Sequence, residues 1–493
     1  MWYQTDDPNN RVPANLQPGA RVHLAAIGGV AMSALAVLLR ERGYDVTGSD
    51  DVLYPPISTL LEQMQIPVRR GFSPDNLEPA PDLVVIGNKI TRNNPEGQAV
   101  LERGLPYASL PQTLYELFLR TRSPLVVAGT HGKTTTTAML AWIFHATGRE
   151  PSFLVGGQVK GWNCNARLGS GAYFIVEGDE YDSAFFDKRP KFLHYQPQAL
   201  VLNALEFDHA DIYRDLDHVK YAFRRLVEML AADAVVLACR DFPHAWDVAR
   251  VHPRTTSFGF AADAVWRASE VRDEGRLSFT CLYKNRPVAR ASLAVMGAMN
   301  ARNALAAMAM ASELGIPMGE AVQALESFPG VARRQEVVGE FGGVLLIDDF
   351  AHHPTAVAAT LDAVHQRYPH RRLWALFEPR SNTSRRKVFQ TEYVHALSRA
   401  ERVIVGGVLR KASDAVPEDE LFSPQQLVMD LEVAGVSARH FDDPEVIVVA
   451  VERNVRPGDV VVLMSNGDFG GLRGKLAHAL VARTTHRARW ASR

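Results

Sequence analysis

Residues 123–148 read SPLVVAGTHGKTTTTAMLAWIFHATG, and the fold turns on them. The apolar run Leu125–Ala128 predicts a buried strand, Gly129 breaks it, and Gly132-Lys133-Thr134 opens a helix-forming stretch. That order is the layout of a phosphate-binding loop. Backbone N–H groups and the positive end of the helix dipole face the anion, Lys133 adds a point charge, and the Thr134 hydroxyl can ligate Mg²⁺. Val127 stands where the strict pattern wants a glycine, so the match lies in Gly129-Thr130-His131-Gly132-Lys133-Thr134-Thr135. The plain alternative is a turn that happens to hold glycine and lysine; the strand before it and the helix after it argue for the loop.

Upstream of the loop, strand and helix signals alternate. Val22–Ile27, Tyr44–Thr47 and Leu83–Ile86 read as strands, and Ala31–Arg42, Ser58–Gln65 and Pro95–Arg103 as helices. Such alternation implies a parallel sheet with ligands at the carboxyl ends of its strands, where Gly28, Gly29 and Asp50 would lie. IGGVAMSAL (27–35) is an incomplete dinucleotide fingerprint; a nucleotide or sugar-nucleotide pyrophosphate at the first helix N-terminus fits it, and so does a glycine pair needed only for close packing. The uncharged run Val22–Leu39 is about long enough to cross a bilayer, but Gly28-Gly29, His23 and Ser33 interrupt it, and strand, turn and helix explain it better. Asp6 and Asp7 replace the basic start of a signal peptide. The chain therefore reads as cytosolic, with no membrane partner.

Downstream, a second alternating region runs through Phe174–Glu177, Leu200–Asn203, a helix around His218–Leu230, a strand-rich stretch at Ser278–Leu293 and a helix at Ala301–Leu314. Pro329-Gly330 punctuates the chain before a third region, Val344–Ile347 to Leu472–Ala482. At 493 residues three domains are expected, and the boundaries fall at 1–122, 123–331 and 332–493. Hydrophobic content of 47% is ordinary globular composition, and a net charge of −1 argues against a broad nucleic-acid surface. Cys164, Cys239 and Cys281 are too dispersed for a disulfide framework or a metal site. The first 20 residues carry no motif and read as a poorly ordered or lightly docked extension.

Several clusters could carry chemistry. Glu177-Gly178-Asp179-Glu180-Tyr181-Asp182 and Glu206-Phe207-Asp208-His209 each follow an apolar run, where a carboxylate beside a phosphate loop can hold Mg²⁺. Asn300 and Asn303 open a helix one turn apart; they can cap it or read an adenine edge, and the spacing favours capping. His352 and His353 invite a metal reading, but adjacent residues point in different directions. Arg380, in Glu378-Pro379-Arg380-Ser381-Asn382-Thr383, could grip a carboxylate or phosphate bidentately, or form a surface ion pair.

Together IGGVAMSAL, GTHGKTTT, EGDEYD, EFDHAD, NARNALAA, DDFAHHP and SNGDFGG resemble the Mur ligase family, ATP-dependent amide-forming enzymes of peptidoglycan metabolism. They fall in the family's order across residues 22–471. The resemblance implies an α/β protein of three domains: an N-terminal Rossmann-like unit for a UDP-sugar, a central ATPase domain with a parallel sheet, and a C-terminal Rossmann-like unit that closes over the nucleotide. It also implies ATP and Mg²⁺ as cofactors. By position, Gly129–Thr135 would hold the ATP phosphates, with Lys133, His209 and Arg380 catalytic and Thr134 and Glu177 on Mg²⁺. His209 would bind a second Mg²⁺ or orient its ligands. Asn303 would contact adenine, Arg334 and Asp349 the nucleotide, Gly28, Gly29 and Asp50 the sugar nucleotide, and Arg380, Ser381 and Asn382 the acceptor. YPPISTLLE (54–62), AFFDKRPKFLHYQP (184–197), LEFDHADIY (205–213) and FEPRSNTSRR (377–386) resemble the branch joining UDP-N-acetylmuramate to the murein tripeptide L-alanyl-γ-D-glutamyl-meso-diaminopimelate. The alternative is the branch that adds free L-alanine to the same sugar nucleotide. Several branches carry a carbamylated lysine after the Asp-His motif; here Lys220, Arg224 and Arg225 occupy that neighbourhood, and a carbamate is not expected. The sequence sets no oligomeric state.

Overall fold

The computed structural model describes residues 6–53, 55, 57–409 and 416–491, with side chains described to residue 482. Tyr54 and Pro56 of the YPPISTLLE stretch lie outside it, as do residues 1–5. The N-terminal unit holds β1 (Arg21–Ala25), α1 (Val30–Glu41), β2 (Asp45–Asp50), α2 (Ile57–Gln63), β3 (Val68–Arg70), β4 (Leu83–Ile86), α3 (Pro95–Glu102), β5 (Tyr107–Ser109) and α4 (Leu110–Leu114). Its sheet is wholly parallel, ordered β3-β2-β1-β4-β5, so the strand order reverses between β1 and β4. The long uncharged run is thus β1, a Gly28-Gly29 turn and α1. Among the described residues no helix is long and apolar enough to cross a membrane. The segment before β1 is docked: Tyr107 donates to Asp7 at 2.8 Å, and Leu16 is buried.

β2 runs three residues further than its apolar pattern, to Asp50. Gly48 and Ser49, residues that signal a turn, belong here to the buried strand. A side chain on Gly48 would collide with Ile27, and the Ser49 hydroxyl donates to the buried Glu96 at 2.6 Å.

The central unit begins with β6 (Ser123–Ala128), α5 (Lys133–Ala146), β7 (Ser152–Val159), β8 (Cys164–Arg167), β9 (Tyr173–Gly178), β10 (Asp182–Ala184), β11 (Asp187–Pro190) and β12 (Ala199–Leu202). It continues through α6 (Leu216–Glu228), β13 (Val235–Cys239), α7 (Pro243–Ala249), β14 (Thr255–Gly259), β15 (Trp266–Glu274), β16 (Arg276–Tyr283), β17 (Arg286–Leu293), α8 (Ala298–Glu313) and α9 (Met318–Glu326). Ten strands form one sheet, β17-β16-β15-β14-β13-β12-β6-β9-β7-β8, parallel from β15 to β7; β10 and β11 make a separate antiparallel hairpin. Helix α5 opens with four threonines, weak helix formers. Burial overrides propensity: every residue from Thr134 to Ala141 is buried, as a helix sunk between sheet and neighbouring helices requires.

The third unit comprises β18 (Glu336–Phe341), β19 (Val344–Asp349), α10 (Pro354–Arg367), β20 (Leu373–Phe377), α11 (Gln390–Leu397), β21 (Arg402–Gly406), α12 (Pro424–Val433), β22 (Ser437–Phe441), α13 (Pro444–Asn454), β23 (Val460–Met464) and α14 (Leu472–Ala491). Its sheet is ordered β18-β19-β23-β20-β21-β22, with only β18 antiparallel. Strands β4, β6, β12, β20 and β23 read as unbroken apolar runs because parallel strands covered on both faces are buried on both.

Several contacts tie the units together, two of them deeply buried. Phe186, at the tip of the β10–β11 hairpin, inserts beside Tyr107 of the first unit, with ring centroids 4.8 Å apart and planes at 82°. Arg367 of α10 forms a buried ion pair with Asp273 of β15 and donates to the Val295 carbonyl at 3.1 Å, while Asp273 also accepts from the Gly297 N–H.

Candidate active site

The carboxyl ends of the parallel strands from all three sheets open onto one cavity of about 870 Å³. β6 delivers the phosphate loop to its floor. Gly129 and Gly132 adopt φ of +131° and +78°, and a Cβ on either would strike the Ala204 carbonyl or the Asn303 side chain at 2.6–2.7 Å. Only glycine lets the loop pass there. Gly132 caps α5 without a side-chain hydrogen bond, so the first N–H groups of that helix point into the loop without a capping acceptor.

Lys133 folds back, donating to the Gly129 carbonyl and to Glu180 Oε2, both at 2.7 Å. Burial pulls its ammonium toward neutrality, but Glu180, Asp179 and Glu177 outweigh it and keep the group charged. Glu180 is 1% exposed; burial favours its acid form, yet Lys133 and His209 hold the carboxyl down at about 2. His209 Nε2 lies 3.2 Å from Glu180 Oε1, and although burial opposes it, Asp208 and Glu180 push the imidazole up to about 9.

At the end of β9, Glu177 accepts from Thr134 Oγ1 at 3.0 Å and from the Gly156 N–H at 2.8 Å. Arg334 donates to the same Thr134 hydroxyl at 2.8 Å. Burial, followed by Asp179, raises the Glu177 carboxyl despite Lys133 and Arg334. A hydroxyl and a carboxylate oxygen side by side fit a hard divalent cation such as Mg²⁺. Asp349 accepts from the Gln335 and Ala351 N–H groups at 2.7 and 2.6 Å, and burial raises its carboxyl to about 6.

Of the sequence candidates, Gly29, Thr130, His131, Gly132, Lys133, Thr134, Thr135, Glu177, His209, Asn303, Arg334, Asp349, Arg380, Ser381 and Asn382 line this cavity together. Gly129 sits just behind it. Gly28 and Asp50 do not line it: Asp50 accepts from the Gly28 N–H at 2.9 Å and from Lys89 at 2.8 Å, bracing the turn ahead of α1. The capping reading of the asparagines fails, because α8 starts at Ala298 with Gly297 as its cap. Asn300 instead donates to the Met296 carbonyl and to Gln335, both at 2.9 Å, and Asn303 donates to Asn300 at 3.1 Å. Arg380 lies 3.6 Å from Glu378 in a partly exposed pair, and Asn382 donates to Asp211 at 2.7 Å. Lys220 pairs with Asp217 at 3.2 Å, away from the cavity.

Sequence reading missed Glu180 as the partner of Lys133, and also Lys191, whose ammonium lies 4.2 Å from the Tyr181 ring centroid. His131, Glu206 and His353 place ligating atoms within 4.8 Å of one another. His353 is already committed, its Nε2 to the Phe207 carbonyl at 3.1 Å and its Nδ1 to the Thr355 N–H at 3.2 Å, so the trio is a hydrogen-bonded wall rather than a metal centre.

A phosphate-loop core flanked by two αβ units, all opening on one cavity, defines a nucleotide-dependent enzyme. The chain matches three family descriptions in order: Mur ligase family, catalytic domain, over residues 21–122; Mur ligase middle domain over 127–311; and Mur ligase, glutamate ligase domain, over 333–467. It belongs to the Mur ligase family.

It is 38% identical over 469 residues to the UDP-N-acetylmuramate–L-alanyl-γ-D-glutamyl-meso-2,6-diaminoheptandioate ligase of Escherichia coli K12, covering 93% of this chain and 98% of that protein. It is 34% identical to the UDP-N-acetylmuramate–L-alanine ligase of Chlorobium phaeobacteroides, covering 92% and 97%. The crystal structure of a murein peptide ligase from Psychrobacter arcticus superposes with a TM-score of 0.73 at 35% identity, covering 94% of this chain and 99% of that one.

Proposed function

We propose that this chain uses ATP to join the amine of L-alanyl-γ-D-glutamyl-meso-diaminopimelate to the lactyl carboxylate of UDP-N-acetylmuramate, returning murein peptides to the precursor pool. The observation that carries the reading is one cavity whose lining includes both the phosphate loop and Arg380, Ser381 and Asn382. Identity to a peptide-adding relative over nearly the whole chain supports the choice of acceptor.

A carboxylate is a poor electrophile, so the γ-phosphoryl group of ATP first passes to it, forming an acyl phosphate and ADP. Lys133, released from Glu180, neutralises charge gathering on the β- and γ-oxygens, and the α5 N–H groups hold the phosphates. Thr134 and Glu177 would hold Mg²⁺, which would supply further charge neutralisation there. The peptide amine then attacks the acyl carbon and phosphate departs. His209 Nε2 lies 3.2 Å from Glu180 Oε1, which suits it to orienting that carboxylate. Arg334 and Asp349, at the start of the third unit, face the nucleotide end and draw that unit over the site. Closure excludes water, which would otherwise hydrolyse the acyl phosphate.

The test is ATP-dependent phosphate release with UDP-N-acetylmuramate, comparing the tripeptide with free L-alanine. Turnover that needs the tripeptide supports the proposal. Turnover with L-alanine alone would make the chain the alanine-adding ligase, and phosphate release indifferent to the sugar nucleotide would point to an ATP-driven switch.

A further inference from the structure

The stretch AFFDKRPKFLHYQP has no part in the phosphoryl chemistry, yet it supplies the turn and second strand of the β10–β11 hairpin, which stands apart from the ten-stranded sheet. The hairpin is fixed near its tip. Phe186 is buried against Tyr107 of the first unit, and the adjacent Asp187, fully buried, accepts from Arg189 Nε at 2.9 Å and pairs with His194, just beyond the hairpin, at 3.1 Å. One charged pair, Asp182 and Lys188, is left over on the side that lines the cavity. The two side chains are 20% and 39% exposed, against 0% for Asp187. Asp211, Arg380 and Asn382 line the same cavity.

A carboxylate and an ammonium in contact on a rigid hairpin are complementary to a ligand group carrying the opposite charges on one carbon. Lys188 would take its carboxylate and Asp182 its ammonium, so that one ion pair becomes two. UDP-N-acetylmuramate has phosphates and a carboxylate but no ammonium. The attacking end of the tripeptide has an amine whose neighbouring carboxyl is already an amide. Only the far end of the peptide, the free centre of diaminopimelate, is an amino-acid zwitterion. We propose that the Asp182–Lys188 pair is the acceptor-specificity element of this site, reading the zwitterionic end of the peptide. This rests on the ligase reading of the preceding section.

The experiment measures KM for ATP, sugar nucleotide and peptide in wild type, Lys188→Gln, Asp182→Asn and Lys188→Arg. Peptides ending in meso-diaminopimelate and in L-lysine, which lacks the distal carboxylate, are compared. A charge-assisted contact of this kind predicts a KM for the diaminopimelate peptide at least tenfold higher in Lys188→Gln, with partial recovery in Lys188→Arg. Lys188→Gln should also narrow the preference for diaminopimelate over lysine, a change that general loosening of the hairpin would not cause. Wild-type turnover of the tripeptide with peptide KM within threefold in both Lys188→Gln and Asp182→Asn overturns the inference alone. A rise in KM for the sugar nucleotide instead of the peptide also overturns it. Failure of the wild type to use the tripeptide removes the ligase reading and the inference together. Both positions are partly exposed, and an unchanged melting temperature establishes that each variant is folded.

Discussion

In the proposed reaction Lys133 is the residue on which the chemistry depends most. Its ammonium waits between Glu180 and the Gly129 carbonyl, 11% exposed, in the place a phosphate would claim. Lys133→Ala should lower kcat by about 10²–10³-fold, the usual cost of removing one fixed charge from a developing anion. Steady-state phosphate release checks this, and near-normal turnover would remove the phosphate-loop assignment. No enzyme nucleophile is required. Burial pushes the Cys239 thiol up to about 11 and Cys281 up to about 12, so neither is a thiolate at neutral pH. Single Cys→Ala variants should keep turnover within about threefold, and no radiolabel from the sugar nucleotide should remain on denatured protein. At this scale the loop was legible because its glycines, lysine and threonine are consecutive. The partner of Lys133 was not: EGDEYD offers four carboxylates, and which of them turns inward depends on where β9 ends and on His209, far along the chain.

Among the elements, α10 shows how a local signal acquires a long-range role. His353 is its cap, accepting from the Thr355 N–H, and its ring packs 4.4 Å from His131 of the phosphate loop and 4.7 Å from Phe389. Burial, reinforced by His131, pushes its imidazole down to about 3. The folded-state value lies below the unfolded one of about 6.5, so the neutral ring contributes stability above pH 6.5 that is lost as pH falls toward 3. His353→Asn keeps a good capping side chain without that titration. Its melting temperature should therefore fall less steeply between pH 6.5 and 4 than that of wild type; parallel slopes would show that His353 does not carry the acid limb. Strands such as β1, β4, β6, β12, β20 and β23 were legible as apolar runs, whereas β3, β5, β7, β8, β13, β14, β15, β18 and β22 were not read. β2 was not legible to its end, because Gly48 and Ser49 signal a turn until Ile27 and Glu96 pack against them.

For the whole molecule, the order of motifs gave the three-unit plan, but nothing local says how the three sheets face one another. That depends on contacts between residues far apart in sequence. Phe186 against Tyr107 couples the hairpin to the first unit, and Arg367 with Asp273 couples the third unit to the second. Removing one partner of a buried pair strands the other charge, a cost of about 3–5 kcal/mol. Arg367→Met should accordingly lower the first thermal transition by several degrees. Adding Asp273→Asn, which keeps an acceptor for the Gly297 N–H, should restore much of the loss. A double variant as unstable as the sum of its singles would show that the pair does not hold these units together.

The central claim is that the sugar-nucleotide carboxylate is activated by direct transfer of the γ-phosphoryl group in the cavity all three units share. The measurement that tests it most directly uses UDP-N-acetylmuramate labelled with ¹⁸O in its lactyl carboxylate, together with ATP and the tripeptide. One ¹⁸O should appear in the released phosphate for each amide formed. Amide formation with unlabelled phosphate would contradict the acyl phosphate and the role given to Lys133.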